Sequence, residues 1–177
     1  MVLNPAGPQK DARPHFFNKG LDGPGVQEAS DFFGDSIATK HENTLHIGFQ
    51  NIVGFPLDKS KVKEQFIRTG ISTWSFDIFG LAEMNTDWRC MPEDHKLYNR
   101  TKGWRDTLHI STVFNITTTA TNPKWFGGTA LFSINKAAHR AVDKGADPSN
   151  LGRWCWTRFQ GRNGHTLHIV CLPSESS

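Results

Sequence analysis

At 177 residues and 37% hydrophobic content, the chain is long enough for one domain with a real core and too short for two of ordinary size. Its formal charge of +3 and pI near 8.8 are compatible with a polyanionic partner, but fall short of the charge density that would argue for one unaided. Three cysteines, Cys90, Cys155 and Cys171, make an odd count without paired metal-ligand spacing; neither a disulfide framework nor a zinc site is indicated, and a reducing compartment is the default.

Met1 to about Asn43 carry four Pro and five Gly without sustained periodicity, which predicts an extended arm (1–43) ahead of a domain spanning 44–173 and a tail at 174–177. Phe16-Phe17 and Phe32-Phe33 interrupt that polar arm and suit docking on the domain surface, where aromatic burial is strongly stabilising, or contact with a partner. No apolar run there suits a signal peptide and no stretch approaches a membrane span, so an intracellular setting, nuclear or cytoplasmic, and no membrane contact are expected.

In Leu45 to Asn51, alternation puts Leu45, Ile47, Phe49 and Asn51 on one face, so Asn51 is expected to point inward at the strand's end. Asp58 or Ser60 can cap a following helix whose apolar positions Val62, Phe66, Ile67 and Ile71 recur at helical spacing, with Gly70 near its end. In Asp77 to Glu83, Phe79 and Leu81 share a face that Glu83 continues, leaving a carboxylate where the pattern asks for an apolar side chain. A strand, helix, strand unit of this length predicts a right-handed parallel crossover, which places Asn51 and Glu83 at one edge, where the two could face one another. The same alternation also allows Glu83 to lie just past the strand in solvent and Asn51 merely to open a turn.

From Met84 to Asp106 the sequence reads as a loop that interleaves Trp88, Arg89, Lys96, Tyr98, Arg100, Lys102, Trp104 and Arg105. Cations suit phosphates and rings suit unpaired bases; alternatively this is a solvated loop anchored by its tryptophans, its charge diluted by Glu93, Asp94 and Asp106. Thr-Leu-His-Ile occurs at Thr44, Thr107 and Thr166 with unmatched flanks, predicting three similar strands rather than a solenoid. His46, His109 and His168 would lie opposite the Leu/Ile face, as hydrogen-bonded strand histidines in preference to zinc ligands. His109, Ser111, Val113 and Asn115 share parity and form a stripe that could border a cleft.

Asn122 to Gly128 is a loop entering a strand at Thr129 to Ile134; its glycines allow close backbone approach, and Trp125 and Phe126 suit either a rim or the core. Gly145 to Pro148 predicts a turn. Trp154, Trp156 and Arg158 then alternate with Cys155, Thr157 and Phe159, and Gln160 to Gly164 predicts a hairpin returning into Thr166 to Cys171.

Four segments taken in order, Gln50-Asn51-Ile52-Val53-Gly54, Phe79-Gly80-Leu81-Ala82-Glu83-Met84-Asn85, Phe126-Gly127-Gly128-Thr129-Ala130 and Leu151-Gly152-Arg153-Trp154-Cys155-Trp156, resemble the endonuclease/exonuclease/phosphatase superfamily. This is the deoxyribonuclease-I-like group, and its retroelement-type endonuclease branch is the nearer match. The resemblance covers about Leu45 to Pro173 and implies an α+β fold, a layered sandwich of two sheets flanked by helices. It also implies a phosphodiesterase dependent on Mg²⁺ (or Mn²⁺), with Glu83 as metal-ligating carboxylate and Asn51 as the amide orienting the metal-site network. Nucleic acid is the implied partner, with Trp88, Arg89, Arg100, Lys102, Arg105, Asn115, Trp125 and Gly127 as candidate contacts.

Two later family motifs, Gly-Asp-x-Asn and Ser-Asp-His, have no counterpart here; Gly34-Asp35 and Asp94-His95 occur in the wrong order and lack their context. Cys171-Leu172-Pro173 stands where the family often has a Tyr two residues before the Pro, and Val53 where some members have Asp. The resemblance is therefore to an N-terminal portion. Three readings stay open: a nuclease-like phosphodiesterase domain represented by its N-terminal portion, whether active or inactive alone, a non-catalytic nucleic-acid or protein binding module, and a half completed in trans by a complementing C-terminal half. An incomplete sandwich would expose an apolar face or open edge and favour homo-oligomers.

Overall fold

The structure is a computed structural model that describes residues 40–55, 62–117 and 126–173. All of them belong to the compact unit Thr39–Ser177. Most of the expected arm, including its paired phenylalanines, lies outside the described residues, as do Asp58, Ser60 and Trp125.

The strand, helix, strand unit forms as its periodicity predicts: β1 (Ile47–Asn51), α1 (Val62–Thr73) and β2 (Ile78–Ala82), with β1 and β2 parallel. Ile67 and Ile71 are buried, whereas Val62 stands exposed and Phe66 is half-buried. The helix does not stop at Gly70. It ends three residues later in a Schellman motif, where Ser75 takes the left-handed conformation (φ 51°) and the N–H groups of Ser75 and Phe76 reach the carbonyls of Ser72 and Ile71.

The segment from Glu83 to Thr107 is more ordered than a loop: two single 3-10 turns, at Trp88–Cys90 and Glu93–His95, precede the short helix α2 (Leu97–Thr101). β3 (Leu108–Val113) and β4 (Thr129–Ile134) complete a mixed sheet of order β1-β2-β4-β3, with β4 antiparallel to both neighbours. A second, antiparallel sheet is built from β5 (Ala141–Ala146), β6 (Cys155–Gln160) and β7 (Thr166–Cys171), in that spatial order. The expected β6–β7 hairpin is present, its turn carrying Asn163 at φ 56°. β5 was not expected: Ala-Val-Asp-Lys-Gly-Ala has no apolar alternation, and as an edge strand it needs little burial.

The fold is thus α+β, with every residue of the central strands β2 and β4 buried. One face of the first sheet carries Phe79, Leu81, Phe132 and Ile134, packed with Ile67 and Ile71 of α1 and with Trp88, Leu97 and Trp104. The other carries Ile78 and Leu131, packed with Cys155, Phe159 and Cys171 of the second sheet.

β1 departs from the sequence reading. Its register pairs Ile47, Phe49 and Asn51 with Ile78, Gly80 and Ala82, so they do share the inter-sheet face. Ile47 and Phe49 are nevertheless about half exposed, at 50% and 49%, because among the described residues β1 is the edge of its sheet and the second sheet packs over β2, β3 and β4. Among the described residues no helix is long and apolar enough to cross a membrane.

Candidate functional site

The strand directions bring the ends of β1, β2 and β3 and the start of β4 to one edge of the first sheet. There the chain continues to pair beyond the strands. Ile52 N–H donates to the Ala82 carbonyl at 3.1 Å, Gly54 N–H to that of Glu83 at 2.7 Å, and Phe55 N–H to that of Met84 at 2.6 Å. Met84 and Asn85 in turn donate to Gly128 and Gly127 at 3.0 and 2.7 Å, and Gly128 donates to Gly152 at 3.0 Å. The loops after β1, after β2, before β4 and before β6 are thereby joined into one backbone layer.

This layer is built from uncommon backbone conformations. Val53 (φ 45°), Glu83 (φ 52°) and Asn85 (φ 49°) are all left-handed, and a β-branched residue there is an outlier that its surroundings must enforce. Glycine is required at two points of close approach: a Cβ on Gly127 (φ 97°) would lie 2.7 Å from the Leu151 carbonyl oxygen, and one on Gly152 (φ 73°) 2.7 Å from the Asn115 nitrogen. The Gly127 expectation of close backbone approach is met by protein backbone.

Asn51 and Glu83 both lie at this edge and both are half-buried. Asn51 Oδ1 accepts from Val53 N–H at 3.2 Å, so this amide does open a turn. Glu83 lies one residue beyond β2 and outside its alternation; its carboxylate makes no hydrogen bond or ion pair among the described residues. Among those residues no group of three His, Cys, Asp or Glu side chains could hold a metal ion.

Three residues that the sequence did not single out complete the edge. Asn85 Oδ1 accepts from Gly127 N–H at 2.9 Å, locking the β2 loop to the β4 loop. Lys63, on the first turn of α1, donates from Nζ to the carbonyls of Ile52 and Gly54, and burial pushes its pKa down. Asp87 is buried and receives the Arg89 guanidinium, Nε at 3.0 Å, together with the Arg89 backbone N–H at 2.9 Å. Hydrogen bonds from that side chain hold the Asp87 carboxyl below the usual carboxylate range. Asn85 had a readable signal, since Asn enters the left-handed region more readily than most residues.

The expected nucleic-acid contacts divide. Trp88 is buried at 4% exposure, edge-on to Phe55 at 5.5 Å, so its ring offers no face to a base. Arg100 is held by Glu64, Nε to carboxylate 2.9 Å, with both side chains nearly buried, and lies over the Phe55 ring. Lys102 and Arg105 are not at this edge at all. The segment that leaves Glu83 crosses the helix-covered face, seats Trp88, Leu97 and Trp104 in that core, and emerges at the opposite end to enter β3. Position soon after Glu83 in the chain therefore does not mean position near it.

Arg89, Asn115 and Gly127 do remain at the Glu83 edge. Arg89 reaches the Ile116 carbonyl at 3.4 Å. Asn115 is committed internally, Nδ2 to the Phe126 carbonyl at 3.1 Å and Oδ1 to Thr117. Phe126 beside them is 82% exposed. The three histidines are separate, and only two lie in strands: His46, just ahead of β1, bonds the Trp74 carbonyl through Nδ1 at 3.1 Å, His168 stacks on Trp156, and burial together with Lys144 lowers the His109 pKa.

No protein-family model matches the chain, and no curated protein does. Among solved structures the chain is similar to an AP endonuclease from Archaeoglobus fulgidus, with 15% sequence identity and a TM-score of 0.42 over 71% of this chain. The match takes in 40% of that protein, so the chain spans about two-fifths of its length.

Proposed function

We propose that this is a nuclease-like phosphodiesterase domain that acts on nucleic acid at the edge carrying Asn51 and Glu83. The observation that carries the reading is Glu83 itself: a carboxylate without a partner among the described residues, set at a left-handed turn in a backbone layer braced from four loops. Mg²⁺ or Mn²⁺ suits such a site, since a small hard cation keeps several waters and needs few carboxylates. When bound it would stabilise charge on a phosphate. Glu83 would hold the ion, Asn51 would brace the turn beside it, and Arg89 and the exposed Phe126 ring would face the strand being cut.

Purified chain should nick plasmid DNA only when Mg²⁺ is present, and Glu83→Ala should abolish the nick. Robust cleavage that survives the substitution would overturn the assignment.

The second reading is a non-catalytic binding module on the same fold. It is favoured by the lack, among the described residues, of any group of three His, Cys, Asp or Glu side chains able to hold a metal ion. DNA binding that weakens with added salt, without cleavage, would select it.

A further inference from the structure

We propose a second site, at the end of the first sheet away from Glu83, that binds a phosphate-bearing ligand. A depression of about 440 Å³ is lined there by Arg68, Lys102, Gly103, Arg105, Asp106 and Asn135, with Trp104 beneath. Three cations face one carboxylate, and none of the three has an ion-pair partner among the described residues. The Nε of Arg105 is buried with no hydrogen-bond partner among the described residues, which leaves the terminal nitrogens of its guanidinium as the donors a ligand would meet.

The site is built on fixed elements. Ile67 and Ile71 anchor α1 in the core, so Arg68 is presented from a rigid helix. Trp104 is buried and stacked on Phe132 at 5.6 Å, and its N–H closes the turn onto Thr101 at 2.9 Å. Asn135 is left-handed (φ 49°) and tied by its N–H to the Thr107 carbonyl at 2.9 Å. A Cβ on Gly103 would meet nothing within 4 Å, so the backbone there stays open to a ligand.

Clustered cations without partners repel one another, and an anion removes that cost. Two guanidinium forks beside one ammonium suit phosphate oxygens, which accept bidentate hydrogen bonds and a point charge together. The volume falls in the range that holds a small ligand, about 300 to 1,000 Å³, and suffices for one nucleotide. That phosphate could belong to a small phosphorylated compound or to a nucleic-acid strand.

Amide NMR of the full chain at constant ionic strength tests the site, with orthophosphate and a single-stranded oligonucleotide of about twelve nucleotides as probes. Orthophosphate should give saturable shifts at Gly103, Asp106 and Asn135, and Arg105→Gln should weaken binding about tenfold, the loss of a charge-assisted hydrogen bond. Arg68→Gln, on the exposed helix face, should weaken it without touching the fold, which keeps the test sound if the Arg105 variant unfolds. An oligonucleotide that shifts the same amides about tenfold more tightly than orthophosphate assigns the site to a strand, and equal or weaker binding assigns it to a small phosphate compound. Absence of saturable shifts at those amides, or shifts that chloride reproduces or that both variants retain, overturns the proposal. Glu83 variants do not enter the measurement, so its outcome is separate from that of the nuclease reading.

Discussion

Arg100 of α2 donates to Glu64 of α1 at 2.9 Å while lying 5.0 Å above the Phe55 ring. This pair clamps the segment after Glu83 onto the crossover helix. Arg100→Ala should destabilise the fold by about 3 to 5 kcal/mol, because it strands a buried carboxylate, whereas replacing both partners with apolar residues should cost far less. Urea unfolding of the single and double variants checks this; equal loss in both would contradict it.

Gly70 and Gly152 should respond in opposite directions. Gly70 lies inside α1, where an added Cβ meets nothing within 4 Å, so Gly70→Ala should stabilise by about 0.5 to 1 kcal/mol. At Gly152, both the positive φ and the 2.7 Å approach to the Asn115 nitrogen forbid the same change, and Gly152→Ala should destabilise by more than about 1 kcal/mol. Thermal midpoints of the two variants against the parent decide it.

Because Arg89 depresses the Asp87 pKa in the folded state, the linked stability is fully present above the ordinary carboxylate range. It is lost as pH falls through the lowered folded value. Unfolding midpoints should therefore drop steeply below about pH 4, and Asp87→Asn should flatten that drop. An unchanged acid limb in the variant would show that other carboxylates dominate.

β1, Ile47-Gly48-Phe49-Gln50-Asn51, is an edge strand among the described residues, has neither charge nor Pro to discourage pairing, and its two apolar side chains are half exposed. Such an edge invites a second copy of the chain to add its own strand. Light scattering should show self-association that rises with concentration and falls in Ile47→Lys; a monodisperse parent would count against it.

The parallel crossover was legible because two periodicities, 2 in the strands and 3.6 in α1, were unbroken around Ile47, Ile67, Ile71 and Phe79. Burial of β1 was not, since alternation shows which residues share a face and is silent about what covers it. The parallel connection placed Asn51 and Glu83 at one edge, but not facing one another as alternation suggested: the register sets Asn51 on the inter-sheet face, opposite the Phe79 and Leu81 face that Glu83 was expected to continue, and Glu83 leaves the strand in a left-handed turn. Their detailed surroundings were not readable, for they depend on left-handed turns at Val53 and Glu83 that no local pattern demands. That Lys102 and Arg105 lie away from Glu83 was not readable, because the sequence does not reveal that the segment after Glu83 runs the length of the sheet before β3. Asp87 and Lys63 escaped notice for a related reason: what marks them is a partner, not a pattern.

The central claim is that Glu83 holds a divalent cation at the edge it shares with Asn51. Paramagnetic broadening by substoichiometric Mn²⁺ measures this without reference to turnover. The amides of Val53, Gly54, Met84, Asn85 and Gly128 should broaden first, Mg²⁺ should reverse the effect, and Glu83→Gln should remove it. Broadening centred elsewhere, or undiminished in Glu83→Gln, would contradict the claim.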